Sequence, residues 1–174
     1  MNKSEFRKSC LDRLKKFSDN TKYIKDKQIN NKLLKLIVDL NVKNVLLYIP
    51  MNIEVDVYPL IKKLRYRGIR VFVPYIKNDS FVPVLYRLPL VESRFGIKQP
   101  NFSRLTYPLE MAIVPVVGID GLCKRIGFGK GMYDRFFAKL TKKPLTIFVQ
   151  RELCKTKEIL SQKHDIQADI IIAF

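Results

Sequence analysis

Residues 44–74 carry the pattern that most restricts the fold. Asn44–Pro50 (NVLLYIP) is a short, wholly apolar run, β-branched at Val45 and Ile49 and closed by a proline. It reads as a buried strand. Val57–Tyr66 resumes helical spacing and stops at Gly68, and Arg70–Pro74 (RVFVP) is again a strand. Strand, helix and strand in this order form a βαβ unit, whose strands run parallel with a right-handed crossover.

The flanking segments extend that unit. Lys3–Phe17 carries Phe6, Cys10, Leu14 and Phe17 near helical spacing, and Tyr23–Leu40 gathers Ile29, Leu33, Leu36, Ile37 and Leu40 on one side. Ser80–Arg87 alternates weakly and fits an antiparallel edge strand. Leu88–Pro108, rich in Pro, Gly, Ser and Asn, reads as an extended loop. Met111–Val117 is a buried strand, Met132–Leu140 a helix, Leu145–Gln150 a strand, Glu152–Leu160 a helix and Asp169–Phe174 a final strand. Residues 1–174 therefore predict one α/β domain, a mostly parallel central sheet covered by helices on both faces. Ligands of such sheets bind beyond the carboxyl ends of the strands. The loop after Pro50, carrying Glu54, and the loop after Val117 both leave such ends.

The second loop continues into Arg125–Arg135, RIGFGKGMYDR. Gly127, Gly129 and Gly131 alternate and leave one side of the backbone free of Cβ atoms, so N–H groups can approach an anion. A helix starting near Gly131 adds its unpaired N–H groups. Arg125 and Lys130 supply charge. The spacing matches neither GxxxxGK[ST] nor GxGxxG, so the loop reads as a phosphate cradle of another type. Asp134 fits either a helix-start acid or a Mg²⁺ ligand beside phosphates. Asp165, after the sole histidine His164, is a second candidate metal ligand. Lys3 and Arg7, four apart on one helix face, fit either a phosphate clamp or a solvated surface. Glu54 fits a ligand-facing carboxylate or an exposed loop acid.

A net charge of +17 points to anionic partners, and 47% hydrophobic content argues for a folded core. Cys10, Cys123 and Cys154 are odd in number and widely spaced, which predicts neither zinc site nor disulfide framework and suits a reducing cytoplasm. No apolar run reaches the roughly 18 residues needed to span a membrane, and the N-terminal MNKSEFRKSC lacks a signal-peptide core.

The chain resembles the 5-formyltetrahydrofolate cyclo-ligase (5,10-methenyltetrahydrofolate synthetase) family. The signature is a strand ending in Val114-Pro115, a turn with Asp120, then Arg125 through Tyr133-Asp134. Supporting matches are Lys3–Arg7, Glu54-Val55-Asp56, Phe95–Pro100, Gln150 and His164-Asp165. The resemblance implies an ATP- and Mg²⁺-dependent reaction. ATP phosphorylates the formyl oxygen of 5-formyltetrahydrofolate, N10 attacks the activated carbon, and ADP, phosphate and 5,10-methenyltetrahydrofolate result. It implies that Lys3, Arg7 and the run Arg125, Ile126, Gly127, Phe128, Gly129, Lys130, Gly131, Met132 and Tyr133 bind ATP. Arg125, Lys130 and Tyr133 would act in catalysis, and Asp134 and Asp165 would hold Mg²⁺. Ile49, Glu54 and the stretch Phe128, Gly129, Lys130, Gly131 and Met132 would contact the folate. Met132 stands where the family usually has an aromatic, and Val57 where Thr is frequent.

The expected partners are these small molecules, with the protein a monomer, no membrane and no specific nucleic acid. Two rival readings are a basic nucleic-acid-binding protein, with Tyr and Phe among Lys and Arg stacking on bases, and another ATP-using transferase on the same fold. No Ser-His-Asp or Cys-His set stands out. Phosphoryl-driven ring closure needs none, because it rests on positioning and charge neutralisation.

Overall fold

The computed structural model describes residues 1–104 and 107–174. Helix α1 (Lys3–Leu14) is opened by a capping box in which Asn2 and Glu5 satisfy each other's backbone N–H groups. Helix α2 (Asp19–Asp39) starts earlier than its apolar stripe implies, because the Ser18 side chain caps it by accepting from Thr21 N. Strand β1 (Asn44–Leu46), helix α3 (Tyr58–Tyr66) and strand β2 (Arg70–Lys77) form the predicted parallel βαβ unit, with Val45 beside Val71. Strand β3 (Ser80–Leu85) returns antiparallel to β2 and is a sheet edge.

Two short pieces follow, β4 (Leu90–Glu92) and β5 (Lys98–Pro100), and they pair with each other. This corrects the expectation of a continuous loop over Leu88–Pro108. The Ser93 side chain accepts from Phe95 N and Ile97 N and turns the chain back on itself there. Positions 105 and 106 of that segment lie outside the described residues.

Strand β6 (Met111–Pro115) enters the sheet beside β1. A small hairpin of β7 (Gly118–Ile119) and β8 (Arg125–Ile126) then leads into helix α4 (Met132–Ala138). Strands β9 (Leu145–Gln150) and β10 (Ile170–Ala173) complete the order β10-β9-β6-β1-β2-β3, parallel except at β3. Strand side chains alternate between faces. Val45, Val71, Ile113 and Ile147 pack with Ile29, Leu33, Leu60 and Leu64 of α2 and α3. Leu46, Phe72, Val114 and Phe148 pack with Phe136 and Phe137 of α4 on the opposite face. Helices thus cover both faces, as the sequence implies.

The expected helix over Glu152–Leu160 is irregular chain instead. Its backbone N–H groups are used elsewhere: Thr156 N donates to Ile119 O at 3.0 Å, and Leu160 N and Ser161 N donate to the Asp120 carboxylate. That carboxylate also receives Leu122 N and Lys124 N at 3.0 Å each. Burial pushes the Asp120 carboxyl up, but the hydrogen bonds from Ser161, Lys124 and Leu122 outweigh it and hold it below its ordinary range. Asp120 therefore ties the β7–β8 turn to the chain that follows β9.

The cysteine expectation is also corrected. Cys10 and Cys154, 144 residues apart, form a disulfide with Cα atoms 5.8 Å apart. Chain separation misleads here because α1 and the segment after β9 both dock against β7. Gly118 allows this approach, since a Cβ there would lie 2.7 Å from the Phe6 ring and 2.9 Å from Cys10 Sγ. The cysteine pattern therefore lends no support to a reducing compartment. Among the described residues no helix is long and apolar enough to cross a membrane.

Candidate active site

Two cavities meet at the glycine loop. Between Ile126 and α4 the chain bends, and its residues divide between the two cavities. Gly127, Gly129 and Gly131 line one cavity, of about 270 Å³. Phe128, Lys130 and Met132 line the other, of about 250 Å³. Gly129 (φ +103°) and Gly131 (φ +61°) hold backbone angles that suit glycine, and Gly131 ends the loop as the residue preceding α4. One short motif thus contributes to two cavities, with Gly131 in both.

The first cavity is polar and cationic. Lys3 and Arg7 reach it from α1, Arg125 from β8 and Arg135 from α4, and Asp134 and Asp165 line it too. Lys3 Nζ donates to Asp165 Oδ2 at 2.5 Å, and Gln162 N donates to the same oxygen at 2.7 Å. Arg7 Nε donates to Gly127 O at 2.7 Å and so aligns α1 with the loop. Asp134 Oδ1 accepts from Ile166 N at 3.2 Å. Arg135 is bound to Asp79 and to Lys130 O, fastening the loop to the β2–β3 turn. Lys3, Arg7, Arg125, Asp134 and Asp165, far apart in sequence, are brought to one place.

Mg²⁺ normally takes one or two protein carboxylates and completes its shell with phosphate oxygens and water. Among the described residues no group of three or more His, Cys, Asp and Glu gathers to cage a metal unaided. Two carboxylates facing a cationic anion site suit a metal that arrives with phosphates. Asp134 and Asp165 fit Mg²⁺ on that ground.

The second cavity is apolar, walled by Ile49, Pro74, Ile76, Phe81, Met132 and Tyr133, among others. Phe95 and Ile97 of the β4–β5 turn close one side, and Lys130 Nζ sits 4.6 Å from the Phe95 ring centre. Glu54 stands in the wall with Oε2 accepting from Met51 N at 2.8 Å. Burial raises its carboxyl to about 7, although the Met51 hydrogen bond, Arg125 and Arg151 pull the other way. Burial likewise drives Tyr48 and Tyr133 well above the ordinary phenol range, with the negative charge of Glu54 adding to each. Both hydroxyls therefore stay protonated at neutral pH.

Arg125 and Gly131 line both cavities. Arg125 is buried, its Nε donates to Pro115 O at 3.0 Å, and its guanidinium carbon is 4.8 Å from the Tyr133 ring centre. A fixed cation thus stands where an anionic group in one cavity meets a polar group in the other.

Some sequence-derived candidates land elsewhere than the motif alone suggests. Ile126 lines neither cavity and is fully buried against Phe6 and Cys10. Lys130 and Tyr133 face the apolar cavity and not the cationic one. Arg135 and Gln162, not singled out from the sequence, line the cationic cavity, and Tyr48, Phe81 and Phe95 line the apolar one. Arg135 closes the glycine motif, and Phe95 opens the Phe95–Pro100 match, so both carried a signal. Tyr48 and Phe81 look like ordinary strand residues and carried none.

Known proteins match this chain from end to end. The family model described as the 5-formyltetrahydrofolate cyclo-ligase family matches residues 1–173. The 5-formyltetrahydrofolate cyclo-ligase of Mycoplasma pneumoniae is 27% identical over 174 residues, covering 99% of this chain and 98% of that one. The Mycoplasma genitalium protein of the same name is 28% identical over 176 residues, with the same coverage. Among solved structures, a 5,10-methenyltetrahydrofolate synthetase from Mycoplasma pneumoniae superposes with a TM-score of 0.79 at 27% identity, over 99% of this chain and 98% of that one. One from Aquifex aeolicus does so with a TM-score of 0.84 at 26% identity, over 99% and 90%. With sequence and fold agreeing over the whole length, the chain belongs to the 5-formyltetrahydrofolate cyclo-ligase family.

Proposed function

We propose that this protein converts 5-formyltetrahydrofolate and ATP to 5,10-methenyltetrahydrofolate, ADP and phosphate, with the formyl oxygen phosphorylated on the way. The observation that carries this reading is the meeting of a cationic cavity and an apolar cavity at Arg125. The triphosphate of ATP suits the first, held by Lys3, Arg7, Arg125 and the main chain of Gly127–Gly131. The flat pterin suits the second, between Ile49, Phe81, Met132 and Tyr133. The formyl oxygen and the terminal phosphate then face each other beside one guanidinium.

An amide oxygen is a poor leaving group, and esterifying it to phosphate removes that obstacle. The transferring phosphoryl group needs placement and charge neutralisation more than covalent help. Arg125 supplies a charge already fixed by Pro115 O and the Tyr133 ring, so little reorganisation is needed when the reaction occurs. Lys3 can exchange Asp165 for a phosphate oxygen, freeing that carboxylate. Asp134 and Asp165 would hold Mg²⁺, which neutralises phosphate charge when bound. The surface, at +17, draws both anionic substrates toward the site.

The direct test mixes protein, Mg-ATP and 5-formyltetrahydrofolate and follows the near-ultraviolet absorption of the methenyl product. A rise that depends on all three supports the reading, and ATP splitting without that product refutes it.

A further inference from the structure

Ring closure leaves a proton without an owner. As N10 bonds to the activated formyl carbon, its lone pair is used and its hydrogen becomes strongly acidic. That proton must leave before or as phosphate departs. The described ionisable side chains lining the apolar cavity are Tyr48, Glu54, Lys98, Arg125, Lys130 and Tyr133. Lysine and arginine are cationic at neutral pH and have no lone pair to offer. The two tyrosines hold their protons. Glu54 is the one carboxylate among the described lining residues.

We propose that Glu54 is the general base of the ring-closing step, accepting the N10 proton within the apolar cavity. This rests on the function proposed above. The N10 lone pair forms the N10–C bond as the N5=C π pair withdraws onto N5, and the N10–H bond breaks with its electrons returning to nitrogen and its proton passing to a Glu54 oxygen. The N5 lone pair then re-forms the N5=C bond as phosphate is expelled. The C–O bond to phosphate then breaks, its electron pair leaving on the phosphate oxygen. Glu54 finally gives its proton to that phosphate or to water.

The geometry supports the role. Met51 N holds Oε2, and among the described residues no hydrogen bond engages Oε1 of this cavity-lining carboxyl. Arg125 and Arg151 draw the carboxylate toward ionisation, while its charge bears on Tyr48 and Tyr133, and that of Asp26 on Tyr48 as well. A carboxyl raised to about 7 matches a base to neutral pH better than an ordinary glutamate does. The ionised form is the active one, so turnover falls as pH drops through that value.

Glu54→Gln keeps the shape and an oxygen for Met51 N but cannot take a proton. Its kcat should fall at least about 100-fold, within the range for losing a general base, with both KM values within threefold of wild type. A rapid-quench experiment should still show ADP formed in the first turnover, with methenyl product lagging. The wild-type loss of rate below about pH 7 should be missing from the variant. If Glu54→Gln does not fold, Glu54→Ala gives the second test, with added formate restoring turnover at least tenfold. A kcat within threefold of wild type overturns the proposal, since phosphate would then be taking the proton itself. A raised folate KM at unchanged kcat also overturns it and makes Glu54 a pterin-holding group. A wild-type protein that forms ADP from this pair but no methenyl product sinks the proposed function, and this inference with it.

Discussion

The Arg125 guanidinium lies 4.8 Å from the centre of the Tyr133 ring while its Nε is fixed to Pro115 O. The two contacts leave its terminal nitrogens at the boundary between the cavities. A lysine cannot stack on the ring, bond Pro115 O and present a charge in that plane together. Arg125→Lys should therefore lower kcat by about 10²–10³, as loss of a fixed charge-stabilising donor does. Steady-state kinetics with both substrates varied will check this, and Tyr133→Phe, which keeps the ring, should lose fivefold at most.

Asp134→Ala should leave the fold intact and sharply reduce turnover. The Ile166 N contact at 3.2 Å is a single hydrogen bond to the side chain, worth about 1–3 kcal/mol. Half-maximal Mg²⁺ should rise at least tenfold in activity titrations, and a wild-type Mg²⁺ curve would remove Asp134 from the metal-binding pair.

Lys130→Ala should affect folate more than ATP. Its side chain lines the apolar cavity against Phe95, whereas the neighbouring glycines line the cationic one. The expected result is a folate KM raised severalfold with ATP KM within twofold, measured at saturating co-substrate.

Gly118→Ala should weaken ATP use from a distance. The new methyl would meet the Phe6 ring and Cys10 Sγ, and α1 would have to shift. Because α1 carries Lys3 and Arg7, ATP KM should rise while folate KM holds. Isothermal titration with a non-hydrolysable ATP analogue will read the same change as weaker binding.

Glu54 should cost the fold stability as pH rises. Its carboxyl ionises near 4.5 when unfolded and near 7 when folded, so between these values the folded state holds more protons. Stability then falls across that window and stays lower above it. One pKa unit corresponds to about 1.4 kcal/mol, which puts the ceiling near ~3 kcal/mol. Thermal melts should show Glu54→Gln more stable than wild type at pH 8 and equal to it at pH 4.

Much of this was legible in the chain. The βαβ unit, the antiparallel edge and the helix opening at Met132 follow from local spacing, because burial on two faces or one leaves a periodic mark. The glycine spacing marked the loop as special, yet only the folded backbone shows which of its residues line which cavity. Lys130, which the resemblance assigns to both ATP and folate, lines the apolar cavity and not the cationic one. The irregular chain over Glu152–Leu160 was illegible because its N–H partners, Ile119 and Asp120, lie more than thirty residues away. The Cys10–Cys154 bond was illegible for the same reason, since spacing along the chain says nothing of two segments docked on a third.

The contacts of α1 with the far end of the chain set an order of assembly. The parallel sheet can begin to form once β6 has followed β1 and β2, but Lys3 finds Asp165, 162 residues along the chain, only after these strands have been made. A ribosome-bound chain halted before Asp165 would hold almost all of its buried core but lack the Lys3–Asp165 contact of the cationic cavity. Completion of the cationic cavity therefore comes after most of the core has formed.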